Sequence, residues 1–301
     1  MQLSETSPYI GRFAPSPTGP LHFGSLVTAV ASYLQARSKK GRWLLRIEDI
    51  DPPRQQKHAA ELIVRTMENY GFEWYGSVIY QSKNYKSHKD ALNLLIERSM
   101  AYPCICTRKD MANSKVGPLG AIYSGSCRNQ RNASNNAYRI LTNNKEVEFY
   151  DQIHGRYSQK LECESGDFIV LRRDGLIAYN LAVIVDDEIQ GISEVVRGYD
   201  LLSSTPRQVW LQKLLNYNTP RYSHIPIITY KNGSKLSKLN GSTAISEIHI
   251  TETIYSALKH LNQNPPKELA SAPLLDVWSW AIKNWKIEKL IGKKAVILAS
   301  Q

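Results

Sequence analysis

The chain has 301 residues, with 38 Lys and Arg against 27 Asp and Glu, for a net charge of +11. Apolar residues make up 42 % of it, enough for a hydrophobic core. Four cysteines are too few for a disulfide scaffold at this length, and no apolar run is long enough to span a bilayer. The excess of positive charge favours a polyanionic partner such as a nucleic acid, whose binding releases counterions. Residues 1–8 are polar and carry Glu5, unlike the basic and then apolar regions of a signal peptide, so the expected compartment is the cytoplasm.

In chain order, Tyr9 to Phe13 reads as a short strand running into a Pro- and Gly-rich turn from Ala14 to Pro20. A helix is expected from Ser25 as its N-cap, with Leu26, Val30, Tyr33 and Leu34 on one face and Gly41 closing it. Arg42 to Ile47 reads as a buried strand. Asp51-Pro52 marks the start of a helix whose Ala59, Leu62, Ile63, Met67 and Tyr70 recur at helical spacing up to Gly71. A further helix is expected over 85–100. This alternation predicts an α/β fold, helices packed on a parallel sheet, with ligands at the carboxyl ends of the strands.

From Cys104 to about Gln159 the periodicity fades among Ser, Asn, Gly and basic residues, as in an inserted module. A hairpin is expected next, with strands 167–173 and 176–185 joined by the turn Asp174-Gly175. Thr205-Pro-Arg-Gln208 reads as a capping box opening a helix that carries Val209, Trp210, Leu214 and Leu215. Ile225 to Tyr230 reads as a strand, and the Asn232-Gly233 turn leads into Lys235-Leu-Ser-Lys238. The remainder is mostly helical, with Trp278, Trp280, Ile282 and Trp285 close together. The expected division is a Rossmann-like catalytic domain in two halves, 1–103 and 167–230. The module 104–166 is inserted between them, and 231–301 forms the lysine loop and a helical C-terminal region.

Three groups of residues carry chemistry. His22-Phe-Gly-Ser25 sits where a loop becomes a helix: free backbone N–H groups and the positive helix end suit an anion there, Gly24 allows close approach, and His22 can donate to a phosphate. The plain alternative is an ordinary capped helix with a surface histidine. Lys235 and Lys238 flank Ser237 on a loop able to close over a triphosphate and stabilise a departing pyrophosphate, or else form a solvated basic loop. Cys104, Cys106 and Cys127 are three soft ligands in one stretch, which points to zinc, or to idle buried thiols; Cys163 is distant in sequence.

Taken together, Arg12-Phe-Ala-Pro-Ser-Pro-Thr-Gly-Pro-Leu-His-Phe-Gly-Ser25 and Lys235-Leu-Ser-Lys238 resemble the two ATP motifs of class I aminoacyl-tRNA synthetases. Arg46-Ile-Glu-Asp-Ile-Asp51 and Tyr179-Asn-Leu-Ala-Val-Ile-Val-Asp-Asp187 make the likeness one to the glutamyl and glutaminyl branch, over about 9–238. Two departures are Ser25 where the family has a second histidine, and Leu236 where it has Met. The resemblance implies ATP contacts at Pro15, Ser16, Pro17, Gly19, His22, Gly24, Ser25, Lys235, Ser237 and Lys238, with His22, Lys235 and Lys238 catalytic and Mg²⁺ on the phosphates. It implies a glutamate pocket at Arg12, Phe13, Ala14, Pro15, Ser16, Glu48, Tyr179 and Arg197. Charge agrees: Arg12 and Arg197 suit carboxylates and Glu48 an ammonium, although each of Arg12 and Glu48 alone would serve equally as an ion-pair partner. It also implies Tyr123 as the fourth zinc ligand beside Cys104, Cys106 and Cys127.

Because 63 residues follow Lys238 (301 − 238), no large anticodon-reading domain is expected. Length and motifs therefore resemble the glutamyl-Q tRNA(Asp) synthetase family. That family activates glutamate without tRNA and transfers it to the queuosine base at the wobble position of tRNA(Asp). The chain is then expected to act as a monomer with no membrane partner. The alternatives are a minimal glutamyl-tRNA synthetase charging the 3′ end of tRNA(Glu), and a non-catalytic RNA-binding relative.

Overall fold

The computed structural model describes residues 8–130, 137–230, 232–234, 236 and 244–298. The elements run β1 (Ile10–Phe13), α1 (Phe23–Ser38), β2 (Arg42–Ile47), α2 (Ala59–Asn69), β3 (Ile79–Tyr80) and α3 (Tyr85–Glu97). Next come β4 (Ala101–Cys104), β5 (Val116–Gly117), β6 (Gly120–Ala121), β7 (Ala137–Ile140), β8 (Glu146–Asp151), β9 (Gly155–Lys160), α4 (Leu161–Glu164) and β10 (Ile169–Leu171). The chain continues with α5 (Tyr179–Ile189), β11 (Glu194–Gly198), α6 (Thr205–Leu215), β12 (Arg221–Ile225), β13 (Ile227–Thr229), α7 (Ile250–His260), α8 (Leu274–Asn284) and β14 (Ala295–Ile297).

The central sheet is parallel where it matters for the site. β1 pairs with β2 and β2 with β3, all parallel. β11 pairs with β12, and β12 with the end of β8, also parallel; β9 closes that edge antiparallel. The two halves meet where the Ser193 amide, just before β11, donates to the Ile10 carbonyl at 2.9 Å. Side chains alternate across this sheet, as strand geometry requires. Trp43, Leu45, Ile47 and Val196 enter one core with α1, α2, α7 and α8, whereas Leu44, Val195 and Tyr222 enter a second with α3, α5 and α6. Burial on both faces is what a parallel sheet needs, and gives three layers. In the first core Tyr33, Trp43, Phe72 and Trp278 pack ring against ring at 4.9–5.6 Å between centroids, and Trp278 donates its indole N–H to the Tyr70 carbonyl at 3.0 Å. β4, β7 and β10 form a separate antiparallel sheet. Among the described residues no helix is long and apolar enough to cross a membrane.

Several local expectations are corrected. The N-cap of α1 is His22, not Ser25: its ring Nδ1 accepts the Ser25 amide at 3.2 Å, so the imidazole takes the place of a hydroxyl cap. That helix is closed by Lys40 in the left-handed region (φ 54°) rather than by Gly41. Asp51-Pro52 opens only a single 3₁₀ turn, Pro52–Arg54, and the long helix waits until Ala59. The helix expected to reach residue 100 stops at Glu97, since Ser99 adopts φ 55° and Met100 bonds back to Leu95. The second strand of the expected hairpin is instead α5. Its apolar run suits a buried strand or a buried helix equally; here Leu181 to Asp187 are all buried because sheet-facing and α6-facing sides both contact protein. Gly175 does turn the chain (φ 82°), but only Leu171 and Ile177 bridge across it. The strand expected over 225–230 is split at Pro226, which has no N–H to donate; β13 then pairs with β14.

Candidate active site at the carboxyl ends of the strands

The carboxyl ends of β1, β2, β11 and β12 converge on one cavity of about 380 Å³. Its wall contains all eight residues expected around glutamate: Arg12, Phe13, Ala14, Pro15, Ser16, Glu48, Tyr179 and Arg197. It also contains His22, Gly24 and Ser25 from the expected ATP set. Pro17 lies instead in an adjoining cavity that shares Ser16, Thr18, Glu48 and Tyr179, and Gly19 borders a surface groove against α2. Lys235, Ser237 and Lys238 lie outside the described residues. Leu236, beside them, is buried in the cavity wall, and Ala244 bridges to His22, so described chain on either side borders the site.

The loop after β1 is held by backbone bonds: the Glu48 amide donates to the Pro15 carbonyl at 3.0 Å, and the Gln56 amide to that of Pro17 at 3.0 Å. Gly24 stands 3.2 Å, at an added Cβ, from the His22 ring, which leaves little room for any side chain there. His22 is engaged within its own turn, its Nε2 lying 3.1 Å from the Ser25 hydroxyl.

Beneath the loop lies a buried charge network. Arg12 donates from Nε and Nη2 to the two oxygens of Asp187, at 3.1 and 3.3 Å. Arg46, fully buried, donates to Asp187 at 2.8 Å and to Glu48 at 3.3 Å. Burial works against the Asp187 carboxylate, yet Arg12 and Arg46 hold its pKa below the usual carboxylate range. At Glu48 burial wins over Arg46 and Arg12 and pushes the carboxyl up. Burial, with Glu48 adding to it, raises the Tyr179 phenol, so its hydroxyl stays protonated and able to donate. Arg197 is 5 % exposed and has no carboxylate bonded to it among the described residues: Nε donates to His224 Nε2 at 3.0 Å and Nη2 to the Thr205 hydroxyl at 2.8 Å. Its Nη1 has no hydrogen-bond partner among the described residues. An unmatched buried cation next to a cavity is a place for an anionic ligand group.

The family described as tRNA synthetases class I (E and Q), catalytic domain, matches residues 10–263. The chain is 46 % identical over 297 residues to a protein of Dechloromonas aromatica named glutamyl-Q tRNA(Asp) synthetase, covering 97 % of this chain and 99 % of that one. A protein of Thiobacillus denitrificans with the same name is 48 % identical over 284 residues, 93 % of this chain and 94 % of the other. The chain belongs to the glutamyl-Q tRNA(Asp) synthetase family. Its fold matches the crystal structure of a glutamate-tRNA synthetase from Elizabethkingia anophelis at a TM-score of 0.81, with 22 % identity, over 98 % of this chain and 68 % of that chain. Members of this family are class I synthetase-like ligases, which fits a cavity at the ends of parallel strands beside the start of α1.

The cysteine cluster lies apart from this cavity. The sulfurs of Cys104, Cys106 and Cys127 fall within 4.8 Å of one another. The Tyr123 hydroxyl is 3.5 Å from both Cys104 and Cys106 Sγ and accepts the Cys127 amide at 2.9 Å. The Cys106–Cys127 sulfur separation and the two Tyr123 hydroxyl–sulfur separations, 3.5 Å each, are close to the edge of about 3.8 Å of a tetrahedron with metal–sulfur bonds of about 2.3 Å. The four groups therefore fit a tetrahedral metal, and Cys163 is exposed and outside the group. Burial opposes the Cys127 thiolate, but hydrogen bonds led by Tyr123 bring its pKa down to about 7. Arg139 donates to Cys104 Sγ at 3.2 Å and stacks over the Tyr123 ring at 3.9 Å, which places a positive charge beside the cluster.

The sequence reading missed several wall residues, among them Gly198, Asp200 and Pro226. Gly198 ends β11 and Asp200 lies two residues beyond it, a position that itself signals ligand contact; a Cβ on Gly198 would come within 2.5 Å of Asp200 Oδ1. The expected capping box is not formed, because the Thr205 hydroxyl serves Arg197 instead of the helix start.

Proposed function

We propose that this chain activates L-glutamate with ATP, independently of tRNA, and passes the glutamyl group to the queuosine base at the wobble position of tRNA(Asp), in the cytoplasm. One observation carries the reading: a single cavity unites Arg12, Glu48, Tyr179 and Arg197 with the His22–Ser25 helix start. The names of the relatives point the same way. A glutamate carboxylate oxygen attacks the α-phosphorus of ATP in line, the bond to the bridging oxygen breaks, and pyrophosphate leaves with the electron pair. The side chain of glutamate faces Arg197 and its ammonium faces Glu48. His22, the amides at the start of α1, and Lys235, Ser237 and Lys238 stabilise the phosphates by position and charge alone. Mg²⁺, when bound to the phosphates, neutralises part of their charge.

Exchange of labelled pyrophosphate into ATP, assayed with each common amino acid, is expected to require glutamate; exchange with another amino acid but not glutamate overturns the reading. Lys238→Ala is expected to lower the exchange kcat by about 10²-fold or more, with the glutamate KM changed only a few-fold, because its charge acts as the pyrophosphate departs. For transfer, labelled glutamate should enter tRNA(Asp) even after removal of the 3′ adenosine, and should not enter tRNA(Asp) that lacks queuosine.

The metal of the cysteine cluster is read as structural zinc on Cys104, Cys106, Tyr123 and Cys127. Protein purified without chelator should hold about one zinc per chain, and Tyr123→Phe should weaken its retention against a competing chelator at least about tenfold. Equal retention by the variant would remove Tyr123 from the ligand set.

A further inference from the structure

Arg197 is aimed by a relay that starts in the polypeptide between the two expected halves of the catalytic domain. Asp151, at the end of β8, is wholly buried. Its Oδ1 accepts the amides of Ile153 and His154 at 3.0 Å each, and its Oδ2 accepts the His224 amide at 3.0 Å and His224 Nδ1 at 2.6 Å. A carboxylate that only accepts fixes the proton of His224 on Nδ1, which leaves Nε2 as a lone pair. That lone pair faces Arg197 Nε at 3.0 Å. Burial, together with Arg197, takes the His224 pKa down to about 4, so the ring is neutral despite Asp151. The Thr205 hydroxyl lies 3.0 Å from the Leu201 carbonyl and 3.1 Å from His224 Nε2, and in donating to either acceptor it meets Arg197 Nη2 with a lone pair. The Tyr222 ring lies 5.2 Å from the guanidinium. Two of the three guanidinium nitrogens are thereby fixed, and Nη1 alone has no partner among the described residues.

We infer that Asp151 and His224 are positioning residues for amino-acid recognition: by setting the His224 tautomer they lock the Arg197 fork so that Nη1 meets the substrate carboxylate. The inference rests on the assignment of Arg197 to glutamate made above. Asp151→Asn turns an amide N–H toward His224 Nδ1, moves the ring proton to Nε2, and sets two donors, Nε2–H and Arg197 Nε–H, against each other. The result expected is a glutamate KM raised about tenfold or more, with kcat and the ATP KM within about threefold. His224→Gln can place an acceptor near the old Nε2 position and is expected to keep the glutamate KM close to wild type. His224→Asn cannot, and should behave like Asp151→Asn. Each variant is assayed well below its own Tm, so that a loss of folded protein does not enter.

Nitrogen-15 spectra of the unliganded wild-type protein should show His224 protonated on Nδ1. An Nε2–H tautomer there overturns the relay whatever the enzyme's activity. So does an ATP KM that rises in parallel with the glutamate KM, or equal behaviour of the Gln and Asn variants at 224. Absence of glutamate-dependent exchange in the wild type would instead defeat the proposed function, and the tautomer measurement distinguishes the two failures.

Discussion

Arg197→Ala is expected to raise the glutamate KM in pyrophosphate exchange by on the order of 10²-fold, with the ATP KM unchanged. A charged hydrogen bond contributes about 1.5–3 kcal/mol, and 10²-fold corresponds to about 2.7 kcal/mol. The substrate carboxylate loses a guanidinium of the cavity wall that, among the described residues, has no carboxylate bonded to it. Arg197→Lys should rescue little, since one ammonium cannot keep the bonds to His224 and Thr205 and still present a planar fork. Stability should respond differently. Removing a buried cation that lacks an anionic partner among the described residues also removes its desolvation cost, so the Tm of Arg197→Ala is expected to change little. A large fall in Tm with an unaltered glutamate KM would show Arg197 to be a structural group.

The legibility of this site in the sequence follows from how its parts are distributed along the chain. The β1 loop and the start of α1 form one continuous stretch, Arg12 to Ser25, in which the likeness to a synthetase ATP motif is legible, and His22 and Gly24 line the cavity. Cys104, Cys106 and Cys127 are likewise close in sequence and close in space. The Asp151–His224 contact joins residues 73 positions apart and leaves no local pattern. α5 was misread because a helix packed on two sides loses the polar face that would reveal its period. Thr205 matched a capping motif but was recruited by Arg197, an example of tertiary contacts overriding a local signal. His22, conversely, caps α1 through a ring nitrogen, which a rule built on Ser, Thr, Asp and Asn does not anticipate.

Asp187→Ala is expected to act on the fold before it acts on catalysis. Asp187 is the shared partner of Arg12 and Arg46, and all three side chains are buried. Arg46 would retain Glu48 at 3.3 Å, whereas Arg12 would lose the only carboxylate bonded to it among the described residues. Stranding a buried charge in this way costs about 3–5 kcal/mol, a fall in Tm of on the order of 10 °C for a domain of this size. The double variant Arg12→Met, Asp187→Ala removes both charges and should lose less than the sum of the single losses, as coupled neighbours do. The same pair sets a pH response. The folded-state pKa of Asp187 is depressed, so the unfolded chain binds the proton more readily in the acid range. Its contribution is complete above the unfolded carboxylate pKa of about 3.9 and is lost as pH falls through the lower folded value. Denaturant titrations of the wild type and Asp187→Ala should therefore converge as the medium is acidified below about pH 4. A gap that stays constant down to pH 2 would mean that the carboxylate charge is not what holds Arg12 and Arg46.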